Sequence, residues 1–305
     1  MIQATGFHRG LRLRANDIDD AGVICPVCHS ARGRRAVYRV QSDPDIVMLA
    51  CAKCGAASAS HMPKPDVLRR YYADYYTNAA ARHTLDEPLR FARHVLGAMP
   101  EVSGSGMLRI LDFGGGDGSL AIAIAQCLRT RSAAAPIAID VVDFSPPRDP
   151  GDRDIAIRSY REVTQTAGTY DIILASAIFE HLPDAHAAIR QVTARAGRRA
   201  YMYARTPFVL PLARLLPMID ITYPAHVHDM GSAFWGRFAA TFDLSARLLS
   251  SRPSLVETTF ARAPLRTAAA YLLKAPAILE QTVLGRDHSP LWGFVGGWEA
   301  MIQFN

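Results

Sequence analysis

The chain has 305 residues, of which half are hydrophobic and a fifth charged, with a formal net charge of +6. That length holds one large domain plus a small one around a substantial core. No uninterrupted apolar run reaches the ~18 residues a membrane span needs, and a charge this modest fits an anionic substrate or weak nucleic-acid affinity without establishing either. The N-terminus carries charges but no apolar signal core, so a cytoplasmic location is expected.

Four of the five cysteines come first, as two C-x-x-C pairs: Cys25 with Cys28, and Cys51 with Cys54. Two such knuckles separated by 22 residues match a structural zinc ribbon. Each knuckle turns two thiolates towards one point, and four complete a closed tetrahedral shell with no room for substrate. With no export signal, zinc is favoured over disulfides. Between the knuckles, 36–40 and 46–49 read as short β pieces. The fifth cysteine, Cys127, is expected to pack in a helix.

Residues 1–62 are thus expected to form the ribbon. Pro63 and Pro65 mark a boundary, and 63–106 read as a helical linker or lid. A helix from Asp66 carries Tyr71, Tyr72, Tyr75 and Tyr76, which either pack on the core or help enclose a ligand. A second helix covers about Glu87 to Met99. Glycine and serine between Ser103 and Gly106 then lead into the third part, 107–305.

That part opens with the most informative stretch of the chain. The apolar run Leu108–Leu111 ends at Asp112, and Gly114, Gly116 and Gly118 alternate after it. This reads as a buried strand, a tight ligand-approaching turn and an apolar helix from Ser119 to about Leu128. A dinucleotide would bring a diphosphate to such a loop. Asp112 and Asp117 would repel it and suit a cationic ligand without phosphate, such as S-adenosylmethionine. The next apolar run, Ile137–Val142, ends at Asp143, 25 residues after Gly118 and near the ~20-residue offset of a ribose-binding acid. Asp140 competes for that role from inside the strand. Residues 170–176 read as a further strand ending at Ser176, followed by Phe179-Glu180-His181-Leu182-Pro183-Asp184.

The pattern D-x-G-x-G-x-G resembles the first motif of class I S-adenosylmethionine-dependent methyltransferases, and "E-H-L-P-D" after "Y-D-I-I" resembles their segment after the fourth strand. The resemblance implies an α/β fold: a doubly wound, seven-stranded, mostly parallel, Rossmann-like sheet, here with a small N-terminal zinc ribbon. It implies that Asp112, Gly114, Gly116, Gly118, Asp143 and Ser176 bind the cofactor. Alternating strands and helices through Tyr201–Ala204 agree with such a sheet. Further on, Ser232 reads as the cap of a helix whose Phe234, Phe238 and Phe242 share a face. A strand near Ser245–Ser251, a helical insertion near 262–290 and an antiparallel last strand in the tail complete the expectation.

Methyl transfer requires the acceptor held in line with the methyl, and a base where the acceptor is a hydroxyl or carbon acid. His181 stands at the carboxyl edge where ligands bind and titrates near neutrality. It packs beside the cofactor or serves as the base. His226 and His228 are the other catalytic candidates, since an extended His-Val-His places both rings on one side. With Asp229 adjacent, a metal site there is a further reading.

The zinc-ribbon members that the chain most resembles methylate sugars and secondary metabolites. Sugar C-methyltransferases of this kind carry a further C-terminal domain for which this chain is too short, so O-methylation stands beside C-methylation. A small-molecule acceptor is expected: a sugar, glycan precursor or secondary metabolite. RNA is the alternative, because some ribosomal RNA methyltransferases combine the same parts and Arg32, Arg34, Arg35 and Arg39 make the ribbon basic. Against RNA, Ser176-Ala177-Ile178-Phe179 lacks the Asn/Asp-Pro-Pro-aromatic loop of many base amino-methyltransferases.

Overall fold

The computed structural model describes residues 12–31, 33–77, 87–99, 102, 106–131, 136–216, 219, 221–254, 264–286 and 288–305. The glycine-serine stretch at 103–105, Arg32, residues 262–263 and the side chains of Tyr75 and Tyr76 lie outside the described residues.

The N-terminal part is built on β1 (Arg34–Ser42), β2 (Asp45–Cys51) and β3 (Ala57–Ala59), antiparallel throughout. Helices α1 (Pro65–Thr77) and α2 (Pro88–Gly97) follow. Proline opens α2, where its missing N–H costs nothing, and Phe91, Ala92, Val95 and Leu96 recur at helical spacing to form its buried stripe.

The main sheet is seven-stranded. In chain order it contains β4 (Leu108–Phe113), β5 (Ile137–Val142), β6 (Ile155–Tyr160), β7 (Tyr170–Ser176) and β8 (Ala196–Phe208). Its last two strands are β10 (Ala246–Pro253) and β11 (Gly296–Phe304), with a two-residue β9 (His228–Asp229) lying elsewhere. The spatial order is β10-β11-β8-β7-β4-β5-β6, so the strand order reverses between β4 and β7. β6, β5, β4, β7 and β8 run parallel, while β11 is antiparallel to both β8 and β10. Every residue of β5 is buried, as expected for a central parallel strand covered on both faces. This is the doubly wound class I methyltransferase sheet that the motif order implies.

Helix α2 and α3 (Ser119–Arg131) cover one face around Ile110, Ile124, Ile139 and Ile172. Helices α4 (Ala185–Thr193) and α6 (Ser232–Phe242) cover the other, around Ile173, Met202 and Trp235. Between these two lies the short α5 (Leu210–Leu215), and α7 (Pro264–Thr282) occupies the insertion. The four paired cysteines belong to the same buried cluster as α4 and α6. Cys127 is only partly buried, on the α2–α3 face.

Two local expectations shift. Ser232 is the first residue of α6, with Gly231 at the cap and no side-chain bond to the helix end. The rings of Phe234, Phe238 and Phe242 do share one buried face, the first pair edge-on at 5.8 Å and the second tilted at 5.2 Å. Strand β8 begins at Ala196, well before Tyr201, because α4 has already ended at Thr193. Among the described residues, no helix is long and apolar enough to cross a membrane.

β9 pairs with β3, Ala57 opposite Asp229 and Ser58 opposite His228. The fourth strand of the small sheet therefore comes from a segment distant in sequence, beyond β8.

Candidate active site

Strand β4 ends at the reversal point, where sheets of this kind open a crevice at their carboxyl edge. Gly114, Gly116 and Gly118 have φ of +70°, +58° and +75°, a region that side chains rarely adopt. A Cβ on Gly114 would lie 2.5 Å from Ile178, and one on Gly115 would collide with the Asp112 carboxyl group. Gly118 packs closely on Val141 and Ile157, which brings α3 down onto the sheet.

Asp143 follows β5 and faces the loop: its carboxylate accepts from Gly116 N–H at 3.0 Å and from Ser145 N–H at 2.9 Å. Its competitor Asp140 is buried and already occupied by Arg109 (3.1 Å), Arg158 (3.0 Å) and the Tyr170 hydroxyl (2.6 Å). Asp117 is paired with Arg148, which offsets its charge. The sequence offered no local signal for that pairing, since the partners lie on separate loops. Asp112 adds an acid to the loop from a buried position near Asp143. It is 2% exposed, and its Oδ2 has no hydrogen-bond partner. That orphaned buried oxygen fits a cationic ligand at the glycine loop.

Burial pushes the Asp112 carboxyl up to about 7, with the Asp143 charge adding to the effect. In the unfolded chain it titrates near 4. Its contribution to stability is thus full below about pH 4 and is lost as pH rises through about 7. The donor-free chain should lose stability relative to Asp112→Asn by up to about 1.4 kcal/mol per pH unit in that window. Parallel denaturant titrations of both proteins between pH 5 and 8 check this; a constant difference would contradict it.

The second wall is the turn after β7. Ser176 is half-buried at the strand end, and Ala177 has φ of +58°, an uncommon value for alanine that turns the chain sharply. Ile178 then reaches Gly114, and Phe179 lies 6.0 Å from Phe113, so this turn touches the glycine loop. The Phe179–His181 turn buries Glu180, whose Oε2 has no hydrogen-bond partner. Burial pushes this carboxyl up to about 8, against the pull of Arg205.

His181 Nδ1 lies 2.9 Å from the Ala225 carbonyl and 3.0 Å from the Tyr72 hydroxyl. A carbonyl only accepts, so Nδ1 carries the proton of the neutral ring and Nε2 the lone pair. Tyr72 thus ties α1 to the site, while Tyr71 is buried in packing. The His226 ring stands edge-on to His181, with centroids 4.7 Å apart.

His228 does not join them. It is 1% exposed, donates from Nε2 to the Leu182 carbonyl (2.8 Å) and meets Ser58 Oγ at Nδ1 (2.9 Å). Burial pushes it down to about 4, so it is a neutral bridge between β3 and the segment after β7. Both nitrogens are engaged, which does not suit a base. The shared side expected of His-Val-His fails because His226 lies in a turn closed by its N–H to the Thr222 carbonyl, and only His228 lies in a strand. Asp229 instead accepts from Val209 and Leu210 N–H (2.6 and 3.1 Å), so the three do not form a metal site.

The four paired cysteines are buried, with sulfur ligand atoms all within 4.8 Å of one another. Cys25 and Cys54 lie 3.8 Å apart, and Cys28 and Cys51 3.7 Å. Tetrahedral Zn–S bonds of about 2.3 Å require sulfur separations of about 3.8 Å. Donor set and spacing both fit a closed zinc site. Its surroundings tie it to the large domain: His186 N–H donates to the Pro26 carbonyl, its ring stacks on His29, and Arg237 donates to the Ala52 carbonyl.

Comparison with known proteins bears on this geometry. A family model described as a methyltransferase domain matches residues 68–240, more than half the chain. No curated protein matches the sequence. The chain is similar to the structure of coclaurine N-methyltransferase bound to N-methylheliamine and SAH, at 14% identity, covering 72% of each chain, TM-score 0.40. It is also similar to the plantazolicin methyltransferase BamL, in complex with a triazolic desmethylPZN analogue and SAH (12% identity, 79% of this chain, 91% of that one, TM-score 0.41). The [4+2]-cyclase SpnF is a third (12% identity, 71% and 80%, TM-score 0.42). The chain belongs to the methyltransferase-domain family and is a class I S-adenosylmethionine-dependent methyltransferase.

Proposed function

We propose that this protein methylates a small-molecule acceptor, a sugar, glycan precursor or other secondary metabolite, by O- or C-methylation. The observation that carries this reading is the polar group that Tyr72 of α1 and His226 form with Glu180 and His181, the latter two in the turn that touches the glycine loop through Ile178. In this reading Asp112, Gly114, Gly116, Gly118, Asp143 and Ser176 hold the donor, which supplies an electrophilic methyl on a sulfonium. Asp112, whose buried Oδ2 has no hydrogen-bond partner, balances the donor's positive charge. The polar group on the far side orients the acceptor's oxygen and supports the negative charge it gains as its proton leaves.

His228 acts in this reading as a positioning residue, holding the segment after β7 against β3. Cys25, Cys28, Cys51 and Cys54 hold a structural zinc ion, which makes the small sheet a rigid flank of the acceptor wall. Residues 1–62, 63–106 and 107–305 are assigned as ribbon, helical linker and methyltransferase domain. Four cysteines that hold a metal rather than form disulfides suit the reducing cytoplasm.

The ribbon's basic side chains favour a small molecule over RNA. Arg34 turns inward to the Gly22 and Ile24 carbonyls, and Arg39 pairs with Asp45 at 3.0 Å. Isotope-labelled methyl transfer to sugar nucleotides, glycans, phenolic metabolites and RNA tests the reading. Label is expected in a hydroxylated small molecule; label in RNA alone would overturn it.

A further inference from the structure

We propose that Glu180, His181 and His226 bind a divalent first-row transition-metal ion, separate from the cysteine site, at the carboxyl end of β7. The inference rests on the acceptor-side reading of this cluster. One carboxylate oxygen and two imidazole nitrogens lie within 4.8 Å of one another. They come from two segments that fold together: the turn after β7, and the turn closed by Thr222 and His226.

Three features point to a cation. The first is Glu180 Oε2, a buried carboxylate oxygen with no hydrogen-bond partner on a side chain 2% exposed. A buried carboxylate is costly unless it is paired or coordinates a metal. The second is the orientation of both rings. His181 donates from Nδ1 to the Ala225 carbonyl. Thr222 Oγ1 donates to the Ile221 carbonyl, so it accepts from His226 Nδ1. Each ring therefore carries its lone pair on Nε2, with Nδ1–H fixed by an outer partner, the arrangement typical of metal-ligating histidines. The third is the separation of His181 Nε2 and Glu180 Oε1, 3.9 Å. A tetrahedral shell with bonds of about 2.0 Å needs about 3.3 Å, so an ion would draw the ligands in slightly.

Two imidazoles with one carboxylate suit zinc, manganese, iron or cobalt ions; magnesium and calcium prefer all-oxygen shells. Three protein ligands leave a position open, as catalytic metal sites do. An acceptor hydroxyl taking that position would lose its proton to water more readily. Its oxygen lone pair would then form the bond to the methyl carbon, and the carbon–sulfur electron pair would return to sulfur, leaving a neutral thioether.

The test uses the full chain with its cysteine-bound zinc in place, titrated with Mn²⁺ and followed by calorimetry and electron paramagnetic resonance. One Mn²⁺ per chain is expected, with zinc content unchanged. Glu180→Gln and His226→Gln should each weaken Mn²⁺ binding at least tenfold, while Tyr72→Phe should retain it. Absence of Mn²⁺ binding by the unaltered chain, or unchanged binding in both variants, would overturn the site whether or not methyl transfer is seen. Conversely, a chain that binds Mn²⁺ yet labels only RNA would leave the metal site standing and remove the small-molecule reading.

Discussion

Stripping zinc from the cysteine site should unfold the N-terminal sheet and damage the acceptor wall in one step. Structural zinc in small modules contributes on the order of 10 kcal/mol of folding free energy. The loss would not stay local. Cys25, Cys28, Cys51 and Cys54 share a continuous core with Phe234, Trp235 and Phe238 of α6. Gly55 lies so close to Ala233 that even a Cβ would collide with that helix. The β3–β9 ladder and the His228 bridge to Leu182 run from the small sheet straight to the turn bearing Glu180 and His181. Chelation, or Cys51→Ser, is therefore expected to lower the Tm markedly and to abolish methyl transfer. Zinc content per chain and thermal denaturation measure the first effect, and labelled transfer the second. A chelated chain that kept its Tm would show that the four thiols only pack.

Asp143→Ala is expected to weaken binding of S-adenosylmethionine by about a hundredfold. Each hydrogen bond to a charged group is worth about 1.5–3 kcal/mol, and a ribose offers two hydroxyls. The carboxylate already accepts from Gly116 and Ser145 N–H, one on each oxygen, which holds it rigidly beside the loop and leaves further lone pairs for a ligand. Its loss also frees the Gly116 amide and loosens the turn. Asp140→Asn is the contrasting variant: its carboxylate serves Arg109, Arg158 and Tyr170, so it should lower stability with little change in donor affinity. Calorimetric titration of both variants decides the matter. Equal affinities for Asp143→Ala and the unaltered chain would reject the assignment of this acid.

The pairing of Asp117 with Arg148 changes the electrostatic argument for the donor. Two carboxylates at the loop were expected to repel a diphosphate, yet one is offset within the protein. The buried Asp112, whose Oδ2 has no hydrogen-bond partner, and Asp143 beside it are left to carry the discrimination. A charge in a low-dielectric site acts far more strongly on a ligand than one at a wet surface.

What the sequence determined by itself was local and periodic. Short continuous apolar runs, glycines alternating after Asp112, and paired cysteines at fixed spacing are written within short windows, because backbone geometry and metal shells constrain neighbours in the chain. Those windows carried the fold class, the glycine loop and the donor set for zinc. Only the tertiary structure decided which distant groups meet. His226 and His228 are two residues apart, yet one joins His181 and the other bridges Ser58 of β3 to the Leu182 carbonyl, since one lies in a turn and the other in a ladder. Tyr72 and His181 are 109 positions apart and within hydrogen-bond reach. Such meetings depend on how separate elements stack around a shared core, and side-chain chemistry in a linear pattern holds no record of that.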